Sequence, residues 1–164
     1  MSPRTKAVAL GLATCGAVVA IDQVTKALVE SNIGRGDRVE VLPFLDFTNT
    51  RNDGVAFGLA GDVSPLLIGG ALILLVGLLV FLGSRAREGA AVWPPAGLLL
   101  GGALGNLVDR IHQDGVTDFL DFDLWATFNL ADVAIVAGVA LLVLMPQPPP
   151  DAKQRRRRSP GSPP

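Results

Sequence analysis

VSPLLIGGALILLVGLLVFLG, residues 63–83, carries no charged side chain. About 20 apolar residues cross the hydrocarbon core of a bilayer as a helix. This stretch therefore reads as a membrane span, and its flanks orient it. Asp62 precedes it, while Arg85 and Arg87 follow in a short connection. Three more apolar stretches lie outward along the chain: Ala7 to about Val29, Ala90 to Val108, and Phe128 to Met145. The composition agrees, at 49% hydrophobic and 18% charged residues, which is too apolar for an ordinary soluble domain.

Four spans put both termini on one side. Arg4, Lys6, Arg85, Arg87, Lys153 and Arg155 to Arg158 make nine of the 14 Lys and Arg residues on that side, which the positive-inside tendency makes cytoplasmic. The opposite side receives the 30–62 and 109–127 connections and most of the acids. The net charge of -1 thus conceals a strongly polarised molecule.

Arg4 and Lys6 before an apolar run also fit a signal peptide, but the run continues past Cys15 to Ile21, so it is expected to stay as the first span. A single cysteine excludes an internal disulfide and a thiol-based metal cluster. The chain divides into a transmembrane domain, 1–146, and a cytoplasmic Pro/Arg-rich tail, 147–164. Proline and like-charge repulsion are expected to keep that tail disordered. Its four arginines read as a topology signal with some attraction to lipid headgroups, and no nucleic-acid partner is expected.

The connections carry their own structure. Val39, Val41, Phe44, Leu45 and Phe47 form short β-like runs broken by Pro43 and by Asn52-Asp53-Gly54, which predicts a small sheet, or cradle, over about 38–60. The segment HQDGVTDFLDFDLWATF, residues 112–128, mixes acids with aromatics and is expected to lie along the bilayer interface. The fold class is thus an all-α membrane protein of four spans, with a small extracytoplasmic cradle and an interfacial segment.

Polar residues inside such spans are rare, inward-facing and functional. Asp22 and Lys26, four apart, share a helix face as a candidate ion pair. Asn106, Asp109 and Arg110 close the third helix, where Gly101, Gly102 and Gly105 allow close helix contact. Asn129 and Asp132, three apart, share a face of the fourth helix, and Asp118 lies in the segment leading to it. Two carboxyls meeting in a poorly solvated place cannot both ionise. They would share one proton, the arrangement that hydrolyses peptides in aspartic proteases. Spacing alone leaves Asp109, Asp114, Asp121 and Asp123 as competitors of Asp118 for that pairing.

Five blocks of this sequence, in order and spacing, resemble bacterial lipoprotein signal peptidase, the signal peptidase II family. They are Asp22-Gln23-Val24-Thr25-Lys26, the Asn52 to Gly58 block NDGVAFG, the Gly101 to Arg110 block GGALGNLVDR, Val116-Thr117-Asp118-Phe119, and Phe128 to Asp132. The resemblance covers roughly residues 7–145. It implies a membrane aspartyl endopeptidase with no metal and no organic cofactor, and a monomer suffices to complete the pair of acids. Such an enzyme cleaves prolipoproteins before a cysteine that already bears diacylglyceryl. Asp118 and Asp132 would then be catalytic; Asn52, Gly54, Asn106, Arg110 and Asn129 would position substrate or the two acids; Asp22, Lys26 and Asp109 would brace the site. Membrane lipids and diacylglyceryl-modified prolipoproteins are the implied partners, at the extracytoplasmic side of the bacterial cytoplasmic membrane.

Two other chemistries are disfavoured by the residues themselves. The lone histidine, His112, and the lone cysteine, Cys15, are expected near opposite membrane faces, which removes a histidine-assisted thiol. A small proton-coupled transporter would carry its acids at the midplane and often shows internal repeats; here the acids gather at one side and no repeat is visible.

Overall fold

The computed structural model describes residues 1–53, 69, 72–73, 76–77, 80, 90–113, 115–122 and 126–145. The stretch at 63–83 falls mostly outside them, with helical positions at 69, 72–73, 76–77 and 80. Gly54, the 54–60 part of the expected cradle, Asp114, Asp123 and the 147–164 tail lie outside the described residues altogether.

Helix α1, Pro3–Asn32, starts with Ser2 as its cap, whose hydroxyl accepts the Thr5 N–H at 3.1 Å, and with Pro3 in the first turn. Both are favoured there, because a first-turn N–H has no helical partner. The helix is 30 residues long, about 45 Å at 1.5 Å per residue. Among the described residues it is the one helix long and apolar enough to cross a membrane. It runs past the expected 7–29 bounds at both ends.

The remaining helices shift against their expected limits. Helix α2, Trp93–His112, follows a single 3-10 turn at Ala90–Val92, with Pro94 and Pro95 in its first turn. It extends beyond Val108, so Asp109 and Arg110 belong to its last turn. Helix α3, Leu130–Leu144, is shorter than the apolar run from Phe128 because Phe128 and Asn129 are used otherwise. The Phe128 N–H and C=O bond to the backbone of Phe119 and Leu120, and Asn129 caps the helix. Helix α2 packs against both α1 and α3.

The connections build a three-stranded antiparallel sheet in the order β1-β2-β3, with β1 at Arg38–Leu42, β2 at Leu45–Asn52 and β3 at Val116–Phe122. The hairpin turns at Pro43-Phe44, with Leu42 opposite Leu45. Strand β3 departs from expectation. The sequence places residues 116–122 in an interfacial segment, but they pair with β2. The pattern VTDFLDF suits a strand covered on both sides: Val116, Thr117, Asp118 and Phe119 are all buried, with alternate residues facing opposite ways. Phe119 meets Phe47 edge-on at 6.3 Å, and Phe122 stacks on Phe128 at 5.6 Å.

Burial runs opposite to that of a soluble protein. In α1 the buried positions are Ala7, Gly11, Asp22, Lys26 and Val29, while Leu10, Leu12, Ile21, Val24 and Leu28 are exposed. In α3, Ala131, Ala134 and Gly138 face inward, and Val133, Val136, Val139, Val143 and Leu144 face outward. Small and polar groups inside with aliphatics outside suit helices whose surroundings are lipid tails. The apolar core among the described residues is correspondingly small, centred on Val92 and Ala96 with Leu100, Leu142 and Met145 against them.

Candidate active site

The polar residues gather where the C-terminal ends of α1 and α2 meet the N-terminus of α3 beneath the sheet. Asp132 occupies the first turn of α3. Its backbone N–H donates to the Asn129 side chain at 3.1 Å, and its Oδ2 accepts the Asn129 backbone N–H at 3.2 Å. This reciprocal cap satisfies two end-of-helix N–H groups at once. It also revises the expectation that Asn129 and Asp132 share a helix face: Asn129 precedes the helix and is joined to Asp132 by the cap.

Phe128 brings this cap to the strand. Its C=O accepts the N–H groups of Phe119 and Leu120 at 3.0 and 2.8 Å, and its own N–H donates to the Leu120 C=O at 3.0 Å. Asn129 is thereby seated against Asp118, and its Nδ2 donates to Asp118 Oδ1 at 2.7 Å and to Asn106 Oδ1 at 3.2 Å. Asn106 Nδ2 in turn donates to Asp132 Oδ1 at 2.8 Å. From the sheet side, Asn52 Nδ2 donates to Asp118 Oδ2 at 2.9 Å. Asp118 and Asp132 are thus joined through two asparagine amides.

Both amides are oriented by partners that cannot reverse. Lys26 Nζ, which has only donors, points at Asn106 Oδ1 at 3.1 Å, so the Asn106 nitrogen must face Asp132. The Asp132 backbone N–H points at Asn129 Oδ1, so the Asn129 nitrogen must face Asp118.

Beneath these amides lies a charged cluster that is almost dry. Lys26 Nζ is 2.8 Å from Asp22 Oδ2 and 2.7 Å from Asp109 Oδ2, with Lys26 only 3% exposed, Asp22 0% and Asp109 2%. Asp22 Oδ1 also accepts the Ala131 N–H at 3.0 Å, which ties α1 to the first turn of α3. Gln23 Nε2 donates to Asp109 Oδ1 at 2.7 Å and to the Gly105 C=O at 3.3 Å. Gln23 stands in the Asp22 to Lys26 block, yet nothing in its spacing distinguishes it from a lipid-facing glutamine.

Glycines in α2 let these groups approach. A Cβ at Gly105 would stand 2.7 Å from Asp22 Oδ2, and one at Gly102 would collide with the Ala131 C=O. Beyond allowing close helix packing, Gly105 makes room for a buried carboxylate. Gly102→Ala is expected to destabilise the protein by about 1–3 kcal/mol, the usual penalty for overpacking. Thermal unfolding of the purified variant in detergent checks this.

The two competitors of Asp118 among the described residues have other partners. Asp109 is held by Lys26 and Gln23, and Asp121 is ion-paired with Arg38. Arg110 donates to the Asn106 C=O of its own helix at 3.2 Å, and among the described residues that is its hydrogen bond, so it is not brought to the two acids. His112 is exposed and bonds the Val108 C=O, and Cys15 lies in the first half of α1.

Asp118 is 2% exposed. Burial pushes its carboxyl above the usual range, and the neighbouring Asp132 charge adds to this; the Asn52 and Asn129 donors and Lys26 act against it. Burial thus favours the neutral form of Asp118, and a carboxyl that holds its proton beside a second carboxyl can take part in acid and base chemistry.

Comparison with known proteins points the same way. A family model described as signal peptidase (SPase) II matches residues 14–146. The chain is 41% identical over 134 residues to a lipoprotein signal peptidase of Desulfitobacterium hafniense, covering 80% of this chain and 89% of that one. It is 37% identical over 135 residues to one of Coxiella burnetii, covering 77% and 83%. A solved structure described as a bacterial membrane enzyme superposes with a TM-score of 0.77 at 32% identity, covering 84% of this chain and 92% of that one.

Proposed function

The chain belongs to the signal peptidase II family, a bacterial membrane protease, and from that premise we propose that it removes signal peptides from diacylglyceryl-modified prolipoproteins with Asp118 and Asp132 as its two acids. The observation that carries this reading is the bridge between those carboxyls through Asn106 and Asn129. In this reading the spans number four and both termini are cytoplasmic, as the distribution of basic residues favours. The site then lies near the extracytoplasmic rim, where the scissile bond of a lipid-anchored substrate meets water. The transporter alternative is not favoured, since the relatives matched are peptidases.

The chemistry follows from the two environments. Asp132, half-buried in the first turn of α3, takes a proton from the attacking water. Asp118, buried and protonated, gives its proton to the carbonyl oxygen, so the tetrahedral intermediate forms without net charge transfer to solvent. The intermediate collapses as the Asp132 proton passes to the leaving nitrogen and Asp118 recovers its own from the gem-diol hydroxyl. Both carboxyls end as they began. General acid and base catalysis together need this opposite protonation. Asn106 and Asn129 keep the carboxyls in register, and Lys26 with Asp22 and Asp109 holds Asn106.

Incubating the purified protein with a diacylglyceryl-modified prolipoprotein and with its unmodified form tests the assignment. A new N-terminus at the lipidated cysteine, and none in the unmodified substrate, is the expected mass-spectrometric result. Cleavage of both forms alike would refute the lipid requirement, and cleavage of neither would refute the function.

The pH profile provides a second check. Activity should fall at high pH as Asp118 loses its proton, and burial raises that carboxyl, so this limb lies above the ordinary carboxylate range. Asn52 favours the ionised form, so Asn52→Ala should move the alkaline limb of kcat/KM to higher pH. An unchanged or lowered limb would contradict the assignment of the proton to Asp118.

A further inference from the structure

Beside Asp118, on the opposite face of β3, stands a polar cluster that the chemistry above does not use. Thr117 is 1% exposed. Its hydroxyl donates to Glu30 Oε1 at 2.5 Å and accepts from Arg51 Nη1 at 3.0 Å, and its backbone N–H points to Asp109 Oδ2 at 3.4 Å. Three elements therefore converge on one threonine: the end of α1 through Glu30, the end of α2 through Asp109, and β2 through Arg51. Arg51 also bonds Gln113 and the Gly115 C=O in the turn from α2 to β3, and its other nitrogen is 3.8 Å from Glu30. Gly115 leaves space for this: a Cβ there would stand 2.9 Å from Arg51 Cγ and 2.6 Å from Asp53 Oδ1.

The placement matters because the strand register is broken just upstream. Pairing of β2 with β3 is irregular between Phe47 and Thr50, then resumes as Thr50 opposite Asp118, Arg51 opposite Thr117 and Asn52 opposite Val116. A one-residue slip turns every side chain to the other face, and a bulge leaves the following pairs free to choose. Arg51 and Thr117, directly opposed, fix that choice and so aim Asn52 and Asp118 at each other.

We infer that Glu30 and Arg51 are positioning residues for Asp118, clamping the Thr117 hydroxyl so that the β2–β3 register presents Asp118 to the site. This rests on the dyad reading of the preceding subsection. Neither residue touches the two acids; both act through Thr117.

The test is cleavage of a diacylglyceryl-modified prolipoprotein by full-length Thr117→Val, Thr117→Ser, Glu30→Ala and Arg51→Met, with Asp118→Asn as reference. Displacing a catalytic group by about an ångström costs up to 10²-fold, so Thr117→Val, Glu30→Ala and Arg51→Met should each lower kcat about tenfold or more. KM should stay within about twofold, because no substrate contact is removed and the loss falls on the reacting geometry. Thr117→Ser, which keeps the hydroxyl, should restore kcat. The alkaline limb should rise in the slow variants, because Asn52 loses its hold on Asp118, whose other neighbours are Asn129, Asp132 and Lys26. Gly115→Ala, which crowds Arg51 without deleting any polar group, should behave as Arg51→Met does.

A loss that serine does not rescue, or one that comes with lower thermal stability and an unmoved pH limb, would make the cluster merely structural and overturn the inference. Wild-type kcat in all three slow candidates while Asp118→Asn is inactive would overturn it alone. Cleavage by Asp118→Asn would instead overturn the dyad.

Discussion

Asp118→Asn and Asp132→Asn should each slow prolipoprotein cleavage by about 10³-fold or more, near the upper range for removing a general acid or base. Asparagine matches the shape of the carboxyl but can neither take nor give the proton. At Asp118 the replacement meets two donors, Asn52 Nδ2 and Asn129 Nδ2. One amide oxygen can satisfy one of them, so some loss of stability accompanies the loss of rate. At Asp132 the replacement keeps an oxygen for either Asn106 or the Asn129 N–H, not both. Accumulation of unprocessed prolipoprotein in cells, with each variant present in the membrane at wild-type level, is the simplest readout. Normal processing by either variant would contradict its role.

Lys26→Met should have the largest effect on stability. Methionine fills a similar volume, but it leaves Asp22 and Asp109 facing each other in a dry site without a cation. Removing one partner of a buried ion pair costs about 3–5 kcal/mol. Asp109→Asn added to Lys26→Met should recover part of that loss, because one of the two uncompensated charges is gone. Cleavage should fall as well, since Lys26 is the group that turns the Asn106 nitrogen toward Asp132. Thermal unfolding of the single and double variants measures both effects, and a change under about 1 kcal/mol for Lys26→Met would show that the cluster is solvated rather than dry.

Much of this site was legible in the sequence because membrane spans make polar residues conspicuous. Asp22, Lys26, Asn106, Asp109, Asn129 and Asp132 each stand out against apolar neighbours, and the structure gathers them at one end of the helices. The link between them was not legible. Whether Asp109, Asp114, Asp118, Asp121 or Asp123 approaches Asp132 depends on the 112–128 connection, whose aromatic and acidic mixture suits either an interface or a strand. Pairing with β2 and the Phe128 bridge seat Asp118 against Asn129, the residue that caps Asp132. The cap at Asn129 was visible in principle, as Asn followed three residues later by Asp before an apolar run, but a long apolar stretch invites a single unbroken helix instead. Arg110 was carried by resemblance alone and bonds its own helix. Glu30 and Arg51 gave no signal, because a charge at a helix end or in a strand looks like ordinary solvation until the register is known, and Thr117 stood only as a neighbour of Asp118.

Two carboxyls working as a single proton-sharing unit are the core of the proposed mechanism, and the cleavage rate of the double variant Asp118→Asn/Asp132→Asn beside the two single variants tests this most directly. Groups that act as a unit lose nearly everything with the first substitution. The double variant should therefore be no slower than the slower single variant. A double variant slower by the product of the two single losses would show that Asp118 and Asp132 contribute independently, and the shared-proton mechanism would be wrong.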